Sequence, residues 1–271
     1  MRKQTLMAIG AHADDIELNV GGTLLKYHDR GYEIVYVMAT NNFSGGWKKR
    51  QPDGSVVSTT PPHYEEEPQR KLEAAEAAKL FGTEPIHLDH PQRHFTREDG
   101  SKAELRYGCE LPRGLGDDVP TIITAYEDKP SVKQLAGLIL DKEPEAILTH
   151  GVAAGNVEHF ATSLLVANAY WEAVEAGHRG LLLQWNELGI RVHGKFNFQW
   201  DTFVDISGFE QRKLEAIGKH ACQMPFPERL DLPEMGPACG CQEAEVYNRI
   251  GGDLRPGPHD AFTLEIAGNT R

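Results

Sequence analysis

Apolar positions fall into short continuous runs separated by polar stretches, and the first run, residues 5–11, is interrupted only by Gly10. A segment with no polar side predicts a strand covered on both faces, as in a parallel sheet. Residues 17–27 then predict a helix, with Leu18, Leu24 and Leu25 on its inner side and Gly21-Gly22 allowing close backbone approach; Gly31 stops it. Residues 33–39 (Glu-Ile-Val-Tyr-Val-Met-Ala) read as a second strand and complete a strand-helix-strand unit.

Residues 40–63 contain Asn41-Asn42, Gly45-Gly46, Pro52-Asp53-Gly54 and Pro61-Pro62, which predicts a long loop. A helix over 68–81 follows, with Pro68 in its first turn and Gly82 at its end, then a strand over 85–88. A second irregular stretch runs over 89–129; loops of that length inside a domain tend to be functional. Ser131 is placed as the cap of a helix to 141, and Pro144 introduces a strand over 146–149. Next come a helix over 159–176, a strand over 181–185, and an alternating segment over 195–205 suited to an edge or antiparallel strand. Ser207 is placed as the cap of a helix to 222, and the Pro- and Gly-rich segment after Gln223 is left unassigned. Strands alternating with helices predict an α/β class: a Rossmann-like, mostly parallel sheet flanked by helices, with long rim loops and an irregular C-terminal extension. We expect one domain over 1–271, with its core at 5–223 and the extension at 224–271.

Hydrophobic residues make up 40% and charged residues 25%, a balance that supports a folded core rather than disorder. The formal net charge of -12 argues against a nucleic-acid partner, because binding phosphate backbones rests on clustered Lys and Arg. A small-molecule substrate fits better. The first ten residues make a poor signal peptide and no run reaches 18 apolar residues, so no membrane partner is expected. Cys109, Cys222, Cys239 and Cys241 are too few for a disulfide framework, which points to a cytoplasmic location. Cys239-Gly240-Cys241 reads as half of a metal site or as ordinary loop cysteines, and no second pair stands at zinc-ribbon spacing.

The chemistry is concentrated just past the first strand, where His12-Ala13-Asp14-Asp15 places one imidazole and two adjacent carboxylates on a strand-to-helix turn. Strand carboxyl ends are where ligand crevices form in open α/β sheets. Adjacent carboxylates point in different directions, so one can bind a metal while the other faces water; equally, an Asp there can simply cap the helix. Asn156-Val157-Glu158-His159 follows the fourth strand on the same rim, so His159 can reach His12 and Asp15. Two imidazoles and a carboxylate with an open position are the ligand set of a catalytic zinc site.

These segments resemble the LmbE-like, PIG-L-type N-deacetylases. That family opens with Ala-His-Pro-Asp-Asp-x-Glu, against Ala11-His12-Ala13-Asp14-Asp15-Ile16-Glu17 here. The helix from Arg70-Lys71-Leu72-Glu73-Ala74 to Gly82 resembles the family's Arg-x-x-Glu-Ala helix. Asp205-Ile206-Ser207, Lys213 and His220-Ala221-Cys222-Gln223 resemble its late motifs, with Cys222 in place of Ser. The resemblance implies a zinc-dependent hydrolase, another divalent metal being open, that removes an acetyl group from an N-acetylated amino sugar or its glycoside. An amidase cleaving a larger acyl group and a catalytically silent metal- or sugar-binding homologue stay open, as does a homo-oligomer. His12, Asp15 and His159 are then the metal ligands and Asp14 the general base, while Glu158 stands where the family has Asp and holds a neighbouring imidazole.

One departure concerns the acid. The family's His-Pro-Asp-His places a histidine where this chain has Asn156, which can donate a hydrogen bond to an oxyanion but cannot deliver a proton at neutral pH. Either Asp14 returns the proton alone, or His150, and after it His193, fills in. The resemblance implies that Arg70 contacts substrate hydroxyls, a plain helix-face charge being the alternative, and Asn41, Asn42 and Phe43 are expected to line the same rim, where amides and an aromatic face suit a sugar, with Trp47 available for stacking. His87, His90 and His94 read as loop or pocket residues.

Overall fold

The computed structural model describes residues 3–104, 120–152, 154–185, 191–192, 195–196, 200–229, 235–252 and 265–266. Its strands are β1 (Thr5–Gly10), β2 (Glu33–Thr40), β3 (Trp47–Arg50), β4 (Val56–Thr59), β5 (Pro85–His90), β6 (His94–Thr96), β7 (Lys102–Glu104), β8 (Ala146–His150), β9 (Leu181–Trp185), β10 (Arg191–Val192), β11 (Lys195–Phe196), β12 (Thr202–Asp205), β13 (Ala244–Gly251) and β14 (Glu265–Ile266). Its helices are α1 (Asp15–Asp29), α2 (His63–Ala78), α3 (Ile122–Ala125), α4 (Lys129–Lys142), α5 (Val157–Glu175), α6 (Glu210–Gly218) and α7 (Gly236–Cys239).

The central sheet has the order β14-β12-β13-β9-β8-β1-β2-β5. The five strands from β9 to β5 pair in parallel, and β13, β12 and β14 extend the β9 edge antiparallel. The unbroken apolar run of β1 follows from this position. Leu6 and Ala8 pack into a core shared with α1, α2 and α6, while Met7 and Ile9 pack into a second core with α4 and α5 on the opposite face. Chain order reverses between β1 and β8, the topological switch point where crevices open beyond strand carboxyl ends.

Several expected boundaries move. The 40–63 stretch contains the β3-β4 hairpin, and the 89–129 stretch contains the β6-β7 hairpin and α3. The hairpins escape a pattern reading because β4 is exposed along its whole length and alternates nothing. Helix α2 begins at His63 directly after Pro61-Pro62, so Pro68 sits inside it rather than in its first turn. Asp128, not Ser131, caps α4: its carboxylate accepts the Ser131 N–H at 2.8 Å and the Ser131 hydroxyl at 2.6 Å. Ser207 caps no helix either; its hydroxyl oxygen accepts the N–H groups of Gln242 and Glu243, and α6 starts at Glu210 and ends at Gly218.

The segment after Gln223 supplies β13, a strand inside the main sheet, and ties it to the first helix. Glu245 accepts the N–H groups of Gly22 (2.9 Å) and Thr23 (2.8 Å) and the Lys213 ammonium (2.6 Å). Gly22 itself lies so close to Ile206 that a Cβ there would sit 2.6 Å from Ile206 Cδ1. Among the described residues no helix is long and apolar enough to cross a membrane.

Candidate metal centre

The turn from β1 into α1 carries backbone strain at a single residue. Asp14 has φ 105°, in the left-handed region that non-glycine residues avoid. The turn is held open from outside: Asn42, itself at φ 60°, accepts the Ala13 N–H at 2.7 Å through its side chain, and Arg70 donates to the Ala13 carbonyl at 2.7 Å. Within the turn, Asp15 Oδ2 accepts the His12 N–H at 2.6 Å.

This conformation brings three donors together. His12 Nδ1 lies 2.9 Å from His159 Nε2, Asp15 Oδ1 is 3.3 Å from His159 Nε2, and Asp15 Oδ2 is 3.4 Å from His12 Nδ1. Four ligands placed tetrahedrally at zinc-ligand bond lengths stand about 3.3 Å apart along each edge, so the triangle has the size that one such cation needs. The far nitrogen of His12, Nε2, hydrogen-bonds to Glu158 Oε2 at 2.6 Å, which leaves the Nδ1 lone pair facing the triangle. Among the described residues this is the one His/Cys/Asp/Glu group of three with metal-site spacing; Cys239 and Cys241 belong to no such group.

The electrostatics match. Burial resists a charge on His12, but Asp15 and Glu158 carry its pKa to about 10, so a cation bound here displaces a proton. Burial also resists ionisation of Asp15, yet the His159 and His150 rings hold its carboxyl well below the usual range. Burial similarly opposes the Glu158 charge, and its hydrogen bond with His12 overcomes this and lowers the pKa to about 2. Asp14 moves the other way. Burial raises its pKa, and the Arg70 guanidinium, 3.8 Å away, only partly offsets that.

The donor set opens into a cavity of about 720 Å³ lined by His12, Asp14, Asp15, Arg70, Asn156 and His159, with Ser44, Gln92, His94 and Met224 around them. Asn156 stands at the mouth as the N-cap of α5, its Oδ1 accepting the Glu158 N–H at 2.8 Å, which leaves its amide NH₂ as the remaining donor. The other sequence candidates lie behind this surface. His150 is fully buried: its Nε2 accepts the Ala11 N–H at 2.9 Å, and its ring stacks on His159 at 4.2 Å and meets Trp185 edge-on. It therefore supports the donors from beneath and does not reach a substrate. Both ends of the Asn42 amide are spent on main chain, Ala13 N–H and Thr40 O, and neither Asn41 nor Asn42 lines the cavity. Phe43 is buried against Phe95 rather than presented for stacking, and Trp47 is half-buried at the start of β3. Arg70 lines the cavity but is 3% exposed, with its guanidinium bonded to the Ser44 and Ala13 carbonyls. His94 lines the cavity, whereas His87 lies within β5, paired with Met38 of β2, and His90 ends the same strand buried against the Pro120 carbonyl, so neither is a loop or pocket residue. His193 and Cys109 lie outside the described residues.

A sequence reading misses the group behind Asp14. Glu17 is fully buried on α1, accepts the Tyr36 hydroxyl at 2.9 Å, and lies 3.1 Å from His220 Nε2. Burial resists charging His220, but Glu17 and then Asp14 raise its pKa. The signal was available, since Glu17 is an acid on the side of an amphipathic helix otherwise taken up by Leu and Val. Gln92, described below, gives no comparable signal.

The architecture and site define a Rossmann-like α/β protein with a candidate His/Asp/His centre at its switch point. The chain belongs to the PIG-L family, described as GlcNAc-PI de-N-acetylase, whose model matches residues 7–170. Diacetylchitobiose deacetylase of Thermococcus kodakarensis is 24% identical over 227 residues, 81% of this chain and 70% of that protein. N,N'-diacetylchitobiose deacetylase from Pyrococcus horikoshii, in complex with its inhibitor MPG, aligns over 94% of this chain and 88% of its own, with TM-score 0.60 and 19% identity. The 4-carboxy-2-hydroxymuconate hydratase from Pseudomonas putida aligns over 94% of this chain and 99% of its own, with TM-score 0.63 and 16% identity. At these identities the structural likeness shows the fold alone, and that fold carries more than one chemistry.

Proposed function

We propose that this protein is a divalent-metal-dependent hydrolase, most simply a zinc enzyme, that removes the acetyl group from an N-acetylated amino sugar or its glycoside. The observation that carries the reading is the triangle of His12 Nδ1, Asp15 and His159 Nε2, with edges of 2.9 to 3.4 Å, beside a second carboxylate at the floor of a cavity. Family membership and the deacetylases among its relatives supply the bond and the substrate class.

In this reading His12, Asp15 and His159 would hold the cation, which when bound would supply the Lewis acidity that makes water nucleophilic near neutral pH and polarises an amide carbonyl. Asp14, whose buried carboxyl binds a proton more readily than usual, takes the proton from the attacking water. As the C–N bond breaks, the same carboxyl returns that proton to the leaving nitrogen, giving acetate and the free amine. Asn156 directs its amide N–H groups at the carbonyl oxygen as it gains charge, which a neutral amide can do without a proton to give. Arg70, Asn42 and His150 act through the turn and the donor set rather than on the sugar, Arg70 also placing positive charge beside Asp14. Asn41 holds its rim segment through its main chain, which bonds to His90 O.

The test is metal content by elemental analysis, together with amine and acetate release from N-acetylglucosamine and N,N'-diacetylchitobiose. The expected result is one cation per chain, release of both products, and loss of turnover in Asp14→Ala with the cation retained. Stoichiometric metal with no amide cleaved across a broad panel overturns the enzyme reading. A longer acid in place of acetate would replace the deacetylase with an amidase.

A further inference from the structure

Gln92 follows β5 on the rim and is 3% exposed, so both ends of its amide need partners within the protein. Its Oε1 accepts the Ser44 N–H at 2.9 Å, and its Nε2 donates to Glu158 Oε2 at 3.1 Å. That carboxylate oxygen is the one bonded to His12 Nε2, and the other, Oε1, accepts the Arg93 N–H at 2.8 Å. Glu158 is thus pinned by three donors, two of them from adjacent residues of one rim loop. Ser44, at the other end of the Gln92 amide, lines the cavity, and its carbonyl accepts from Arg70 at 2.8 Å.

We propose that Gln92 is a positioning residue that clamps Glu158 against the His12 imidazole and couples the Ser44 segment of the cavity to the cation-binding donors. This role rests on the metal-centre reading above and goes beyond that of a polar residue in the cavity wall. A glutamate carboxylate swings on three side-chain bonds, so it must be fixed from outside if the His12 ring is to stay oriented. Gln92 provides that fixation with a donor, and with its acceptor it ties the same point to the segment a substrate would press against.

The experiment is a zinc titration in competition with a chromophoric chelator, on wild type, Gln92→Ala, Glu158→Ala and the double variant. We expect Gln92→Ala to weaken zinc affinity about tenfold, the low end of what outer partners of metal ligands contribute. In the Glu158→Ala background the same change should have almost no further effect, because the clamp then has nothing to hold. Gln92→Glu keeps an acceptor for the Ser44 N–H but loses the donor to Glu158 and sets a second carboxylate against it, so it should weaken zinc binding. Gln92→Ala, which releases Ser44 as well, should raise KM. Thermal denaturation in excess chelator checks folding, and if Gln92→Ala does not fold, the cycle is run with the near-isosteric Gln92→Met, which likewise lacks both amide contacts. Unchanged zinc affinity, or equal losses in the two backgrounds, overturns the proposal. A wild-type chain that binds no zinc overturns the metal-centre reading as well, whereas zinc binding without deacetylation leaves this proposal standing, because affinity is its readout.

Discussion

The strained backbone of Asp14 makes a prediction that separates the cost of the backbone conformation from the loss of the carboxylate. At φ 105° a residue bearing a Cβ costs on the order of 1 to 3 kcal/mol, and glycine at the same angle costs almost nothing. Replacing Asp14 by Ala and by Gly removes the same buried carboxylate and the same neighbour of Arg70, 3.8 Å away, so those contributions cancel when the two variants are compared. What remains is the strain that Ala keeps, less about 0.5 to 1 kcal/mol for the greater freedom of glycine in the unfolded chain. Asp14→Gly should therefore be more stable than Asp14→Ala by about 1 kcal/mol, a difference of roughly 2 to 4 °C in Tm for a chain of this size. Both variants should be inactive. The assay is thermal and urea denaturation with excess chelator, so that cation binding does not enter. If Asp14→Ala equals or exceeds Asp14→Gly in stability, the turn is not strained in the way its φ indicates, and the account of how the two carboxylates are splayed apart fails with it.

Three further outcomes follow from the same geometry. Arg70→Lys, whose single ammonium cannot span the Ser44 and Ala13 carbonyls, should lose about 1 to 3 kcal/mol in urea denaturation and lower kcat more than it raises KM; a raised KM at unchanged kcat would instead put Arg70 on the substrate. Burial lowers the pKa of His178 from 6.5 to about 4, so the folded state prefers the neutral ring: its contribution is complete above pH 6.5 and declines as pH falls toward 4. Wild type should lose about 2 kcal/mol from this group between pH 7.5 and 4.5, and a His178→Gln variant with an equally steep loss would refute the assignment. Zinc at a hundredfold excess over its Kd should stabilise the chain by about 2.7 kcal/mol in thermal scans, and Asp15→Ala should abolish the shift.

The parallel half of the fold was legible because burial on both faces writes itself into sequence as unbroken apolar runs, as in β1 and β2. The β3-β4 hairpin was not, since it is built largely from residues that meet solvent and leave no periodicity, and the strands of the β6-β7 hairpin, three residues each, are too short to show one. Nor was β13, whose burial fades along its length and whose glycine falls at a bulge. Cap residues were misplaced at Ser131 and Ser207 because a serine beside a helix start can equally serve another backbone, as Ser207 does for Gln242 and Glu243. At the site, His12, Asp15 and His159 converge because each lies at an element end on the switch-point rim, a position that sequence can give. The substrate-side expectations for Asn42 and His150 fared differently, because whether an amide or ring faces a cavity or a backbone N–H depends on contacts 29 or 139 residues apart in the chain.

That difference has a consequence for specificity. Several polar side chains that sequence would assign to the substrate are instead committed to the turn: Asn42 and Arg70 to Ala13, His150 to Ala11. A turn with Asp14 in the left-handed region keeps its shape only if its surroundings over-determine it, and these three residues supply that constraint. They are thereby removed from the task of choosing a substrate. The choice falls to what the cavity wall has left, which includes Ser44 and Gly45 before the β3-β4 hairpin, Arg93 and His94 after β5, and Met224 after α6. None of these residues is a cation donor, and the ties of Ser44 and Arg93 to Gln92, Arg70 and Glu158 run through their main chain, which a side-chain exchange keeps. Exchanging them should change which acylated amine is accepted while leaving cation affinity in place, whereas any change to Asn42 or His150 should be felt first at the cation.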